Sequence, residues 1–255
     1  MKKYKIMITF TIGIALIITG ICLGGINQVN TIQPSLISFN NQPKEDIDYQ
    51  VKNHIDTLQI DTSYADMTFV EKDVQNLRVE AKNIYEGFQV LQHNQTLVIQ
   101  QPYHFMKNQK AKITIVIPKD SIMKDIALST QLGETNINQL DSQNITIHRR
   151  LGQLNIKEIN CQKLNIDTDM GATQITKINC HKMCQMSCHM GSIDILFKNW
   201  QKGYNYDMNI NAGSVSINGN ELSGLNEKIN QNNDETSHYL SIYCGMGSVN
   251  IETEE

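Results

Sequence analysis

Glycine and isoleucine recur at a fixed spacing through the second half of the chain. Glycines at 133, 152, 171 and 191 are separated by 19, 19 and 20 residues, and further glycines follow at 213 and 247. Isoleucine stands four residues after each of these six glycines. Apolar residues also stand five residues and one residue before five of them, as in Ile166-Asp-Thr-Asp-Met-Gly171. The alternation on both sides of each glycine predicts two short β-strands per repeat.

This repeat predicts a parallel β-solenoid with coils of about 19 residues. Because glycine has no Cβ, it can occupy the corner between the two strands of a coil in a conformation that other residues avoid. Successive coils would stack in chain order through parallel backbone hydrogen bonds, about 4.8 Å apart, and place the isoleucines in one interior ladder. We expect the solenoid repeats over residues 121–255, with the polar segment 219–233 leaving the stack as a loop.

Residues 49–120 carry shorter and less regular alternating segments, such as Leu58-Gln-Ile-Asp-Thr and Ile113-Thr-Ile-Val-Ile. Turn-forming residues separate these segments, so they are predicted to be the leading strands and the cap of the same body. A cap is needed because an uncovered strand edge invites pairing with other chains. The fold class predicted from the whole pattern is all-β, preceded by one N-terminal transmembrane helix.

The beginning of the chain predicts a membrane anchor. Lysines at positions 2, 3 and 5 precede an uncharged, largely apolar run over residues 6–26, which as a helix is long enough to cross a hydrocarbon core of about 30 Å. The lysines place residues 1–5 in the cytoplasm and the body outside the cell, so we expect a single-pass protein of the cell membrane with residues 27–48 as a linker. A cleaved signal peptide is the alternative, but no Ala-x-Ala-like site follows the run. Cys22 follows an isoleucine where a lipoprotein signal has a small residue, so we interpret it as lipid-facing.

Composition and motifs exclude several classes of function. The formal net charge is −4 and only three arginines occur, so the chain lacks the basic face that nucleic acid requires. It contains no Gly-x-Ser-x-Gly elbow, no phosphate-binding P-loop and no His-Glu-x-x-His pair. We therefore assign no catalytic or cofactor-binding residue, expect no cofactor, and do not expect an enzyme.

Cysteine and histidine cluster between Cys180 and His189. Thiolates and imidazoles are common zinc ligands, but Cys184 falls in a column that other repeats fill with isoleucine or leucine. Burial as a small apolar side chain is the simpler interpretation, and no metal site is assigned. Cys161 and Cys180 both stand nine residues after a glycine, so we expect them one above the other on adjacent coils. That placement is compatible with a disulfide, and the sequence leaves open whether it forms.

Charged side chains also form columns. His148 is expected beside Asp167, and Arg150, Asp169 and His189 are expected in succession. No outward column holds acids on adjacent coils, so cross-coil ion pairs are favoured over the paired carboxylates of a glycosidase. A further column is expected to form a structural ladder of stacked amides. Its members are Asn160, Asn179 and Asn199.

Three stretches resemble the bacterial putative-adhesin, β-strand-repeat domains of unknown function that occur on anchored envelope proteins of Gram-positive bacteria. They are Ile113-Thr-Ile-Val-Ile-Pro-Lys-Asp120, Leu164 to Gly171, and Met246-Gly-Ser-Val-Asn-Ile251. The resemblance covers about residues 50–253 and implies a β-solenoid, a frequent genetic association with envelope-stress responses, and no established reaction or catalytic residues. The chain departs from the family pattern in its cysteine-rich stretch, residues 180–188.

We therefore expect a membrane-anchored, extracytoplasmic binding or scaffold module of the cell envelope, adhesin-like in character. Its expected partners are the membrane, crossed once, and cell-wall glycan or an envelope protein, but not nucleic acid. An accessory or sensory component of an envelope-stress response is the alternative, and a carbohydrate-active β-solenoid enzyme is a third hypothesis.

Overall fold

The structure is a computed structural model that describes residues 46–101, 110–198, 205–232 and 236–254. Within these ranges the secondary structure consists of β-strands, and no helix occurs. The strands are β1 (Ile47–Gln50), β2 (Thr57–Lys72), β3 (Arg78–Lys82), β4 (Gln89–His93), β5 (Thr96–Gln101), β6 (Ala111–Pro118), β7 (Met123–Lys198), β8 (Asn205–Ile217), β9 (Asn220–Gln231) and β10 (Tyr239–Glu254). The all-β prediction is confirmed for this part of the chain.

The predicted anchor, residues 6–26, lies outside the described residues. Within the described ranges, no helix has the length and apolar character needed to span a membrane.

The long strand β7 forms the repeated part of the fold. It carries four of the glycines and turns back on itself at intervals of 19 or 20 residues, which gives four stacked coils, each named here by its glycine. All four glycines have φ between +135° and +148°, a region that residues with a Cβ rarely adopt. At Gly152, Gly171 and Gly191, an added Cβ would lie 1.8 to 1.9 Å from the carbonyl oxygen of the preceding glycine. The corners therefore require glycine for two reasons, the φ angle and the close approach of the next coil.

The stack does not follow chain order after β7. Strand β10 pairs in parallel with the last coil of β7 on one side and with β8 on the other, so that Gly247 faces both Gly191 and Gly213. The expectation of coils stacked in sequence is wrong here. The physical reason lies in the strand that follows β8, which turns back and pairs with one edge of β8. The two strands therefore form the end of the stack, and β10 buries Leu240, Ile242 and Val249 between β8 and the Gly191 coil.

The polar segment 219–233 does not leave the stack as a loop, so this prediction is also wrong. Residues Asn220–Gln231 form β9, which runs antiparallel to β8 with Asn220 opposite Ile217. Asn218 and Gly219 connect the two strands with φ of +50° and +76°, as a two-residue hairpin turn of the Asn-Gly type requires. β9 is polar and largely exposed, which suits a strand that covers the end of a stack.

At the other end, β2 acts as a further coil below the repeats. It pairs in parallel with the Gly133 coil, with Leu58 opposite Ile126, and on its other side with β5 and β6. Antiparallel strands then complete this end, because β4 pairs with β5, β3 with β6, and β1 with β3. The parallel stack thus ends in antiparallel strands at both ends.

The core lies along the axis of the stack. Isoleucines four residues after the glycines are buried in five coils and partly buried in β8, at the end of the stack, so the predicted interior ladder is confirmed. They are Ile137, Ile156, Ile175, Ile195, Ile251 and Ile217. Columns seven, five and three residues before the glycines also point inward. One member of the last column, Arg149, is charged and completely buried.

Candidate binding face

One outer side of the stack presents polar side chains on successive coils, and we call it the polar face. It consists of the outward positions six and four residues before each glycine and their equivalents on β2, β5 and β10. Its members include Gln59, Asp61, Gln100, Ser129, Thr146, His148, Asn165, Asp167, Gln185, Ser187 and Tyr243. These positions alternate with the buried apolar columns, so the core fixes their direction and the strand spacing of about 4.8 Å fixes their separation.

A shallow groove of about 290 Å³ lies at the β2 end of the polar face. Its lining combines apolar side chains, Val98 and Ala127 among them, with hydrogen-bonding ones that include Gln59, Asp61, Gln100, Thr146 and His148. Carboxylate and amide oxygens accept hydrogen bonds here, and hydroxyl and amide groups donate them. The groove is therefore suited to a ligand that has both hydroxyl or amide groups and an apolar surface.

Asp167 links three coils across the middle of the polar face. One carboxylate oxygen lies 2.9 Å from Nδ1 of His148 on the coil below, and the other accepts a hydrogen bond from Ser187 on the coil above. The expected pairing of His148 with Asp167 is confirmed. Ser187 donates to a carboxylate and not to an imidazole, so the group lacks the serine-to-histidine bond that activates a nucleophile.

Asp169 makes a similar link along the border of the polar face. It lies 3.8 Å from Nε of Arg150 and 3.6 Å from Nδ1 of His189, as the register predicts. The ring of His189 packs edge-on against Tyr243 at a centroid distance of 6.1 Å, and the Tyr243 hydroxyl accepts a hydrogen bond from Asn211 at 2.8 Å. The side chains are more than a third exposed, so these pairs fix orientation and contribute little stability.

The cysteines of the described body point into the core. Cys161, Cys180, Cys184, Cys188 and Cys244 are buried and form no disulfide. The burial of Cys184 in the column of isoleucine and leucine is as predicted. Within the described residues, no group of three or more cysteine, histidine or acidic side chains is arranged to hold a metal ion.

Three of these thiols contact one another. Cys180 lies between Cys161 and Cys184, and hydrogen bonding with their sulfurs lowers its pKa. Its own thiol donates to the carbonyl oxygens of Gln162 and Met183, at 3.5 and 3.0 Å. Hydrogen bonding with Cys180 raises the pKa of Cys161, and burial raises that of Cys184. The stacking of Cys161 on Cys180 is as predicted, and the two sulfurs meet as thiols.

The predicted ladder of amides does not form between Asn160 and Asn179, the two members that lie within the described residues. The Asn160 amide donates to the carboxylate of Asp141, one coil below, at 2.6 Å, and Asn199 lies outside the described residues. An amide-to-amide bond occurs instead between Asn155 and Asn136, at 2.9 Å. A second cleft, of about 390 Å³, lies beside Asn160, Asn179 and Cys161.

A ridge of apolar side chains runs along the glycine corner, next to the polar face. Its members immediately precede the glycines and are 37 to 54% exposed: Leu132, Leu151, Met170, Met190 and Met246. The sequence shows these residues as apolar but gives no sign that they point outward. They do so because the chain turns between the buried positions three residues before and two residues after the glycine.

A family model named Toastrack DUF4097 matches residues 55–224, about two thirds of the chain. The chain belongs to this family. The Toastrack match includes β2, all four coils of β7 and the hairpin turn between β8 and β9, whereas β10 lies beyond it. The resemblance to the putative-adhesin domains of unknown function is thereby confirmed. No curated protein matches the chain.

Solved structures similar to this Toastrack chain include three bacterial proteins at low identity. A putative cell adhesion protein from Clostridium sporogenes is 15% identical with a TM-score of 0.47, and the alignment covers 84% of this chain and 100% of the other. A putative adhesin from Bacteroides fragilis is 13% identical with a TM-score of 0.35, with 83% and 98% covered. A putative adhesin from Parabacteroides distasonis is 11% identical with a TM-score of 0.25, with 82% and 97% covered.

Proposed function

We propose that this Toastrack body is an adhesin-like binding module of the cell envelope that holds an elongated, hydroxyl-rich ligand, a cell-wall glycan, along the polar face. The observation that supports the proposal is the polar face itself, which repeats hydrogen-bonding side chains from coil to coil. A polymer with regularly repeated polar groups could bond to successive coils in the same way, so that many weak contacts add up along its length.

The composition of the polar face favours a glycan over a protein. Protein interfaces have an apolar, aromatic core within a polar rim. The centre of the polar face is instead formed by groups such as Thr146, Asn165 and Gln185, all exposed. The apolar side chains of this side of the stack lie on the ridge at its border, apart from Val98 and Ala127 in the groove and Leu91 opposite Val98.

The same geometry argues for binding without catalysis. Hydrolysis of a glycosidic bond requires one carboxyl group that donates a proton and a second that acts as base or nucleophile. Asp167 is bonded to His148 and Ser187, and Asp169 is paired with Arg150 and His189. Both carboxylates are therefore engaged in cross-coil contacts that hold the face in shape, and Asp61 is the only acidic side chain among the described residues that line the groove.

The proposed setting is the outer side of the cell membrane, with residues 6–26 as a single membrane span. The support for this part is the sequence alone, namely the lysines before the apolar run and the length of the run. An anchored module of this kind would keep its polar face close to the wall polymers.

The test measures binding of the full chain to purified cell-wall glycan by co-sedimentation. Thr146→Arg places a long cation in the groove and should abolish binding, because it blocks access to the face. Thr176→Arg is the matched control, since Thr176 is an equally exposed threonine that lies away from the groove. We expect the control to bind as the unaltered chain does.

Equal binding by both variants, or no binding by the unaltered chain, would overturn the proposal. Release of reducing ends from the glycan would replace it with the enzyme hypothesis. In that case Asp167→Asn should abolish the release.

A further inference from the structure

Arg149 is an arginine in the interior of the stack, and its burial is unusual for this residue type. Its relative exposure is 0%, and it is the largest side chain that is fully buried. Arginines are rarely buried without a partner, because the guanidinium remains charged and loses its hydration. The charge therefore needs compensation inside the fold.

The protein atoms around Arg149 satisfy only part of the guanidinium. Nη2 donates to the carbonyl oxygen of Gly133 at 3.0 Å. Nε and Nη1 are buried and have no hydrogen-bond partner among the described residues. Burial lowers the pKa of Arg149 to about 10, and the negative charge of Glu134 opposes this effect. The carboxylate of Glu134 is itself used on the outside of the coil, where it accepts bonds from Asn136 and Asn155.

Two threonine hydroxyls lie in the same corner. Thr130 stands three residues before Gly133, directly below Arg149 in the stack, and Thr135 stands two residues after Gly133. Both hydroxyl oxygens are buried and have no hydrogen-bond partner among the described residues.

The coil above Arg149 shows how these positions meet. There the equivalent residues are Thr168 and Thr173, and their hydroxyl oxygens are 3.5 Å apart. Side chains three before and two after a glycine therefore face each other across the inside of the corner. By the same register, Thr130 and Thr135 face each other beneath the guanidinium of Arg149.

The corner thus collects donors of hydrogen bonds around a positive charge. Guanidinium N–H groups can only donate, and a threonine hydroxyl can donate to an acceptor placed between them. The acceptor that also neutralises the charge is an anion. A monovalent anion balances the single charge of the guanidinium, whereas phosphate or sulfate is larger and carries more charge.

We propose that Arg149, Thr130 and Thr135 form a binding site for a buried halide ion, chloride under physiological conditions, between the Gly133 and Gly152 coils. The anion accepts hydrogen bonds from Nε and Nη1 of Arg149 and from the two hydroxyls. It neutralises the guanidinium and joins two coils of the stack. The site is separate from the polar face, so halide binding at Arg149 does not depend on the proposed function.

The experiment compares unfolding of the full chain by urea in sodium chloride and in sodium gluconate of equal ionic strength. Urea is used because guanidinium chloride would supply the ligand. A ligand that binds only the folded state multiplies the folding constant by about ten for each tenfold rise in its concentration above saturation. We expect the urea midpoint to rise with chloride, and with bromide, but not with gluconate.

Two variants separate the site from general effects of salt. Arg149→Met removes the charge and keeps an unbranched side chain, which should fold because an apolar replacement of a buried charge is often neutral or stabilising. Arg150→Met is the matched control, since Arg150 is the next residue along the chain and its side chain is 67% exposed. The chloride response should disappear in the first variant and persist in the second.

An unaltered chain that does not respond to chloride would overturn the proposal, and so would an Arg149→Met variant that keeps the full response. If Arg149→Met does not fold, Thr135→Val removes one donor without changing the shape of the side chain and should weaken the response. Crystals grown in sodium bromide provide an independent readout. An anomalous peak within hydrogen-bonding distance of Arg149 Nε is expected, and ordered water alone at that position would refute the site.

Discussion

Replacing Gly171 with alanine tests why the corners of this solenoid are glycine. Gly171 has φ of +139°, and an added Cβ would lie 1.8 Å from the carbonyl oxygen of Gly152 and 2.9 Å from its carbonyl carbon. The conformation costs an alanine about 1–3 kcal/mol. The contact is with backbone of the coil below, which cannot move without shifting the stack, and such overpacking costs a further 1–3 kcal/mol or so.

The sum, roughly 2–6 kcal/mol, is a large part of the 5–15 kcal/mol that typically stabilises a folded domain. Unfolding of the full chain by urea, followed by circular dichroism, measures the loss as a shift of the midpoint. Gly219→Ala is the control, because Gly219 also has positive φ, +76°, but an added Cβ there meets nothing within 4 Å. It should cost about 1–2 kcal/mol, the strain of the left-handed conformation alone. Equal losses in the two variants would refute the role assigned to the close approach.

Two further predictions concern β10 and the buried thiols. Removal of residues from 239 onward should abolish cooperative unfolding and cause aggregation, because it leaves β7 and β8 each with an open edge. A truncated chain that stays monomeric by light scattering and unfolds cooperatively would contradict the stacking order. Burial raises the pKa of Cys188 from 9.0 to about 11, so the unfolded state releases this proton first and stability should fall as the pH rises above 9. Between pH 8 and pH 10 the free energy of unfolding, measured from urea midpoints, should fall by about 1 kcal/mol less in Cys188→Val than in the unaltered chain. An equal fall in both would show that the Cys188 thiol does not titrate in this way.

The repeated columns could be predicted from the sequence because each coil carries the same residue pattern. A glycine with an isoleucine four residues later occurs six times, and side chains in one register must stack when the coils do. The contact of His148 with Asp167 followed from the same register, since the residues lie 19 positions apart. Local periodicity was enough for these features.

Features that occur once were harder to predict. The position of β10 between β7 and β8 depends on which of two edges fits it best, and spacing along the chain does not encode that choice. The hairpin to β9 did have a local signal in Asn218-Gly219, the strongest short hairpin motif, but the polar composition of the segment concealed it. Polarity is what an outermost strand needs, so composition alone could not separate a loop from a cap.

The burial of Arg149 in the core is another feature that occurs once and was not predicted. Its place in the inward column is readable from Thr130 and Thr168, which stand at the same distance before their glycines. A charged side chain at such a position is normally assigned to the surface, because burial of its charge is costly. Only the structure shows that the small threonines on both sides leave room for it.

The insertion of β10 also constrains the order in which the chain can fold. A ribosome delivers residues at about 5–20 per second, so β8 and β9 are complete seconds before all of β10 has emerged. During that interval β8 has no coil beneath it, and the top of β7 is open. The stack can grow upward from β2 as far as the Gly191 coil while the chain is made, but β8 is joined to it only through β10, which is made last. The order in which the coils assemble can therefore follow the order of synthesis for most of this protein, and it departs from that order at the last strands.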